Sequence, residues 1–152
     1  MKSLSERPSF TIEKDGSPYL TRWWLSPSTE KRYHERKHRP ALLLHHIWRP
    51  DCDRAPHDHP WWFVSLVLKG WYLENRYNAD GYFTHQVRRR RFSIGFRRST
   101  DLHDIREVSP NLWTLVLVGP KCREWGFMTN DGWVHWKDYI ADGWTDTTTT
   151  VS

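Results

Sequence analysis

The sequence is poor in the features that place a chain in several common classes. Its two cysteines, Cys52 and Cys122, are too few for a disulfide framework and read as reduced thiols in a reducing compartment. No apolar run approaches the roughly 20 residues of a membrane-spanning helix. The opening MKSLSERPSF lacks the apolar core of a signal peptide, so a cytoplasmic location without a membrane partner is expected. No window has the periodicity of a long amphipathic helix. A Gly-rich phosphate loop and the Ser/His/Asp or Cys/His signatures of nucleophilic catalysis are also missing.

What is present points to short strands. Aromatic residues make up 15% of the chain and include 11 Trp, with 9 Pro and 8 Gly as punctuation, a composition that suits an all-β fold joined by turns. The 152 residues suffice for a single core. The expected organisation is an N-terminal arm and basic loop over 1–40, a β body over 41–140 and a polar tail over 141–152, the tail either disordered or an edge extension. Within the arm, 1–21 reads as an extended segment or loose strand and 22–25 as a short strand or the start of a lid. The net charge of +5 favours anionic partners, and it is clustered at 31–39 and 88–98. Residues 30–39, EKRYHERKHR, read first as a solvated turn or loop and second as a nucleic-acid patch.

The stretch that organises the body is 55–73, APHDHPWWFVSLVLKGWYL. Residues two apart on a strand share a face, so His57 and His59 can hold one metal ion together, with Trp61, Phe63, Ser65 and Val67 continuing that face. Trp62, Val64, Leu66 and Leu68 form an apolar opposite face. A strand buried on both sides belongs in the wall of a barrel or sandwich. Before it, 41–48, ALLLHHIW, reads as a buried strand in which at most one of His45 and His46 faces the interior, as a core residue. After it, 71–77 and 82–87 form a hairpin about Asn78-Ala79-Asp80-Gly81. Residues 100–108, 112–118, 121–129 and 132–136 complete the strand set. A third histidine, His103, lies on a strand that a barrel can bring to the first pair. Spacing alone leaves metal binding and structural histidines as equal readings. If a metal is held, neutral imidazoles suit iron, zinc, copper or nickel, and three protein ligands leave positions open.

An all-β chain with HxH entering a strand, Gly70 after it and a lone histidine on a later strand resembles the cupin superfamily, a double-stranded β-helix or jelly-roll barrel. The string DRAPHDHPWWFVSLVLKGWYLE, with EWGF and GWVHW further on, is similar to small cupin-domain proteins of bacteria and phages over roughly 41–140. His57, His59 and Gly70 match the first cupin motif, whose opening glycine and glutamate are here Asp51 and Phe63. Only His103 matches the second, where Arg98, Thr100 and Glu107 replace the usual proline, glycine and asparagine. The resemblance implies a metal held by His57, His59 and His103, with Fe(II) favoured and Zn, Ni or Mn as alternatives. By ligand type alone this is similar to the three-histidine thiol dioxygenases.

Around that set, Tyr72 and Glu74 share a face and are candidate catalytic groups. Glu74 either replaces the missing carboxylate ligand or pairs with Arg76. Arg88 and Arg90 are the candidate anion anchors, while Trp61 and Phe63, with Trp113, are candidate pocket walls. Asp101 and Glu107, in phase with His103, are candidates to fix its ring. Cys52 is either a thiol near the site or a small buried residue. The expected function is a mononuclear non-haem iron oxygenase or dioxygenase acting on a small anionic substrate, with a metal-dependent isomerase or lyase on the same residues. The rival class is a non-catalytic module clasping a nucleotide or other anion. Nucleic-acid binding ranks third, and exposed strand edges with abundant Trp make a homodimer reasonable.

Overall fold

The computed structural model describes residues 3–7, 9–26, 39–51, 54–140 and, for the backbone, 144–149. Most of the basic stretch 30–39 and Cys52 lie outside them. Twelve strands carry the described chain: β1 (Ser9–Lys14), β2 (Ser17–Trp24), β3 (Ala41–Ile47), β4 (Phe63–Lys69), β5 (Tyr72–Tyr77), β6 (Phe83–Arg89), β7 (Ile94–Arg97), β8 (His103–Val108), β9 (Leu112–Val118), β10 (Gly126–Thr129), β11 (Gly132–His135) and β12 (Trp144–Thr149). A one-turn helix α1 (Trp136–Tyr139) follows β11. The strands make a seven-stranded sheet ordered β12-β1-β2-β3-β9-β4-β7, a three-stranded sheet β6-β5-β8 and the hairpin β10-β11, with antiparallel pairing throughout. His57 bridges to both His103 and Phe127, which links the two smaller sheets. The all-β architecture expected from composition is present. Among the described residues, no helix is long and apolar enough to cross a membrane.

In the N-terminal stretch the strand readings hold, and the strands join the body. β1 and β2 sit inside the large sheet, and Tyr19, Leu20 and Trp24 are buried in its core. The strand is hard to see in the sequence because its pairing with β1 jumps from Ile12↔Leu20 to Glu13↔Pro18. Tyr19 is the extra residue of a bulge, and a bulge breaks the alternation that marks a strand. At the other end of the chain, β12 pairs with β1 as an edge extension.

The organising stretch also begins later than its pattern suggests. β4 opens at Phe63, since Pro60 has no amide to give a ladder and His57 is held by isolated bridges. Gly70 then turns the chain at φ 83, and an added Cβ there would press on the Ser109 hydroxyl and on the Leu112 backbone at 3.2 Å. The predicted hairpin is present between β5 and β6, where the Asn78 side chain accepts hydrogen bonds from the Asp80 and Tyr82 amides.

Two apolar clusters hold the layers together. Tyr19, Leu20, Ile47, Val67, Tyr72 and Leu112 form one. Trp24, Ala41, Leu43, Val116 and Val118 form the other, with Trp61 and Phe63 packed against it. Between the sheets they leave a cavity of about 130 Å³. Leu112 is fully buried and does not line that cavity. Leu112→Ala is expected to lower unfolding free energy by about 2–5 kcal/mol, read as a shifted midpoint in chemical denaturation, through lost burial and the hole left behind.

Candidate metal centre

The three histidines predicted from spacing converge at one wall of the cavity. His57 and His103 exchange backbone hydrogen bonds of 3.0 and 3.1 Å, and the His59 amide donates to the Ser99 carbonyl at 3.1 Å. The side chains of all three line the cavity, and one ligand atom from each lies within 4.8 Å of the others. His59 Nε2 is 2.7 Å from His103 Nε2. The His57 Nδ1 atom is buried with no hydrogen-bond partner.

Glu74, 1% exposed, decides how His103 is presented. Its Oε1 lies 2.7 Å from His103 Nδ1. A carboxylate only accepts, so Nδ1 carries a proton and Nε2 is the ring atom that faces the other two histidines. Arg97 closes the other side of Glu74, with Nε 2.7 Å from Oε1 and a second guanidinium nitrogen on Oε2. Burial alone would push the Glu74 carboxyl up, but the hydrogen bonds and charges of His103 and Arg97 outweigh it and hold the group well below the usual carboxylate range.

The electrostatics favour neutral ligands. Burial pushes His57 down to about 3, with the His103 and Arg54 charges adding to it against Asp51. Burial, then His103, His57 and Arg22, holds His59 well below its ordinary value. Unprotonated imidazole is the form that binds a metal. Convergent imidazoles, two of them held neutral by burial, one orphaned ring nitrogen and a carboxylate behind the third ring fit a divalent transition metal.

The other predicted residues fall differently. Trp61, Phe63 and Tyr72 line the cavity, and the Phe63 ring stands edge-on to His59 at 4.8 Å. Glu74 also lines it, turned to His103 and Arg97 and so placed behind the ligand set. This is the role expected of Asp101 and Glu107, and neither fills it. Asp101 accepts from Arg76 and from the Arg98 amide in the turn before β8. Glu107 is exposed, because the β5–β8 register jumps from Leu73↔Glu107 to Glu74↔Ile105. The extra residue, Arg106, sends Glu107 to the face opposite Ile105.

Arg88 and Arg90 are exposed, with Arg88 over the Trp71 ring at 4.1 Å. The β5–β6 register pairs Arg88 with outward-facing Leu73, while Arg89 pairs with Tyr72 and brings its Nε to 3.6 Å from Glu74. Trp113 also faces outward, stacked on His46.

Several cavity residues carried no sequence signal strong enough to name them. Arg22 on β2 donates through Nε to His45 Nε2 at 3.1 Å, and both line the cavity. Burial, then the Arg22 charge, holds His45 well below its ordinary value. Asp51, at the position of the motif's opening glycine, is 1% exposed and accepts from Tyr19, Arg54 and, at 2.9 Å, the Ile105 amide. Asp58 points away from the ring cluster, as its place between two ligands demands. It accepts from the Gly126 amide at 2.8 Å, from Trp133 Nε1 at 3.1 Å and from Arg123. Gly126 is required there, since a Cβ would strike the Val134 carbonyl oxygen and the Trp133 ring. The adjacent Phe127 ring then packs 5.7 Å from His57.

Two outcomes follow from this arrangement. In metal-free protein, His57 and His59 stay neutral when folded, whereas the unfolded chain takes up protons below about pH 6.5. The folded state therefore binds fewer protons, and stability falls with decreasing pH from that point down to about pH 3. Urea titrations across this window should show a slope approaching about 1.4 kcal/mol per pH unit for each such histidine, reduced in His57→Gln. Glu74→Gln removes the charge that fixes His103 and should weaken metal affinity by about 10–100-fold in chelator competition.

No family model and no curated protein matches the sequence. Solved structures do match in fold. Iron(II) HppE superposes with a TM-score of 0.57 at 14% identity, over 78% of this chain and 59% of that one. Bacillus subtilis oxalate decarboxylase superposes at 0.58 and 12% identity, over 93% of this chain and 33% of that one. The chain thus spans under two thirds of the length of either. At these identities the likeness is one of fold. Antiparallel sheets with almost no helix are the architecture in which the chain matches these proteins: it has the cupin fold.

Proposed function

We propose that the chain is a metal-dependent enzyme, a mononuclear non-haem iron oxygenase or dioxygenase that acts on a small anionic molecule at His57, His59 and His103. The observation that carries this reading is the convergence of three imidazoles, with ligand atoms within 4.8 Å of one another, in a buried cavity. Fold neighbours studied with Fe(II) and with Mn(II) support the choice of a redox-active divalent metal. Fe(II) bound there supplies Lewis acidity and one-electron chemistry with dioxygen.

The residues of the chain account for substrate choice. Three neutral ligands leave a bound dication's charge uncompensated, which draws an anion into the cavity. Arg22, seated on His45, is the anion anchor in place of Arg88 and Arg90, with its guanidinium on the same cavity wall as β2 and β3. Tyr72 is a proton donor beside the substrate: burial, then the Glu74 charge, raises its pKa and keeps the hydroxyl protonated. Trp61, Phe63, Val116 and Val118 keep water out and favour a compact organic body. A metal-dependent isomerase or lyase would use the same ligands and Tyr72. A clasp for a nucleotide has less to support it, because Arg88 on β6 and Arg90 just after it are exposed.

Metal analysis by mass spectrometry on untagged protein, before and after anaerobic loading with Fe(II), is the test. Near-stoichiometric metal, lost in His57→Ala and His103→Ala, together with oxygen uptake on small carboxylates and phosphates, is the expected result. Arg22→Ala should keep the metal and raise KM at least about 10-fold, the loss of one charged hydrogen bond. Loaded protein that consumes no oxygen with any anion rejects the oxygenase, and protein that never takes up metal rejects the enzyme.

A further inference from the structure

Behind Glu74, outside the cavity lining, two further guanidinium groups stand against a carboxylate that is already satisfied. Arg97 and His103 engage both Glu74 oxygens through hydrogen bonds. Arg76 follows Glu74 by two on β5 and so shares its face, and the pairing of Arg89 with Tyr72 puts Arg89 on that face as well. Arg76 Nη1 is 4.0 Å from Glu74 Oε1 and Arg89 Nε is 3.6 Å from Oε2, both too far for a hydrogen bond. Neither arginine lines the cavity. The group sits at a seam: β6 ends the small sheet and β7 ends the large one, and Arg89 Nη1 donates across to the Ile94 carbonyl at 3.3 Å.

The charges at this seam do not balance. Arg76, Arg89 and Arg97 bring three positive charges, and the acidic groups paired with them are Glu74 and Asp101, which accepts from Arg76 Nη2 at 3.3 Å. The Nε atoms of Arg76 and Arg89 are buried without a hydrogen-bond partner. A guanidinium group is costly to desolvate without an anion beside it. Burial, then the Arg97 charge, lowers the pKa of Arg76, as crowding of like charges requires. The Arg76 and Arg89 side chains still keep 19% and 20% of their surface exposed, so an ion from solvent can reach them.

We propose that Arg76 and Arg89 form a second anion site, for a phosphate-type oxyanion, at the seam between β6 and β7. Two guanidinium groups from neighbouring strands converge on one carboxylate that has no lone pair well placed for either. A tetrahedral oxyanion offers an oxygen to each of them, and its charge offsets the surplus. With that ion bound, Arg76 and Arg89 are satisfied independently of Glu74, which stays with Arg97 and His103. The site is separate from Arg22 and stands whether or not the histidines hold a metal.

Thermal unfolding of the metal-free full chain, titrated with inorganic phosphate near neutral pH at an ionic strength held constant with chloride, tests this. Two charged hydrogen-bonding groups correspond to a dissociation constant of about 1 mM, so about 20 mM phosphate should raise the midpoint saturably by about 4 °C. Arg76→Gln and Arg89→Gln should lose that rise with an unchanged far-UV spectrum. Arg76→Lys and Arg89→Lys, which keep the charge and lose the planar fork, should weaken phosphate at least about 5-fold and carry the test if a glutamine variant does not fold. Arg22→Ala, in the cavity, and Arg90→Gln, at an exposed arginine, should keep the full rise. A matching rise with phenyl phosphate assigns the site to a phosphoryl group on a larger molecule, and a rise with inorganic phosphate alone assigns it to the free ion; either upholds the site. No saturable rise in the parent, or an equal rise with acetate, overturns the proposal. So does a rise that Arg22→Ala or Arg90→Gln abolishes, or phosphate affinity that is unchanged in the folded Arg76 and Arg89 variants.

Discussion

The Glu74 carboxylate sets the terms for the rest of the molecule. A charge buried to this degree is tolerable only if partners surround it. Glu74 lies on β5 of the small sheet, Arg97 on β7 at the edge of the large sheet and His103 on β8. Satisfying one carboxylate therefore brings two sheets together and points one imidazole into the space between them. The ion pair adds little net stability, since desolvation offsets most of its attraction. Its worth lies in specification: β7 has one position along β4 at which Arg97 reaches Glu74.

The part of the site that could be read from the sequence is the part that depends on a single strand. His57 and His59 share a face because residues two apart do, and neither register nor neighbour enters that argument. His103 came from the same alternation together with the cupin resemblance. The readings that failed all depended on which residue lies opposite which. Arg88 and Arg89 are equivalent in composition, and only the pairing of Arg89 with Tyr72 turns the second inward. Glu107 is in phase with His103 on an ideal strand, but one bulged residue reverses it. Tyr19 hides β2 in the same way. Bulges leave no mark in a short window, because the extra residue is defined by the partner strand.

Asp58 shows the converse case, a residue conspicuous in the sequence with a role that only the fold supplies. Set between two ligands, it must face away from the cavity, and there it gathers the Gly126 amide, the Trp133 indole and Arg123. The distant EWGF and GWVHW strings are thereby fastened to the same turn that carries the histidines. Phe127 and Trp125 shield His57 from that side. One short motif thus supplies two candidate ligands from its odd positions and the fastening of their cover from the position between.

The main-chain bridges of His57 bear on metal choice. Its amide and carbonyl are both tied to His103, so two of the three candidate ligands are spaced by the backbone ladder whether or not an ion is held. A site spaced in this way cannot open or contract much to suit one ion over another, and its neutral nitrogen donors bind along the ordinary series in which copper outranks iron and manganese. For a metal held at such a site, selectivity would be delegated to the surroundings, to whichever ion is available when the chain folds.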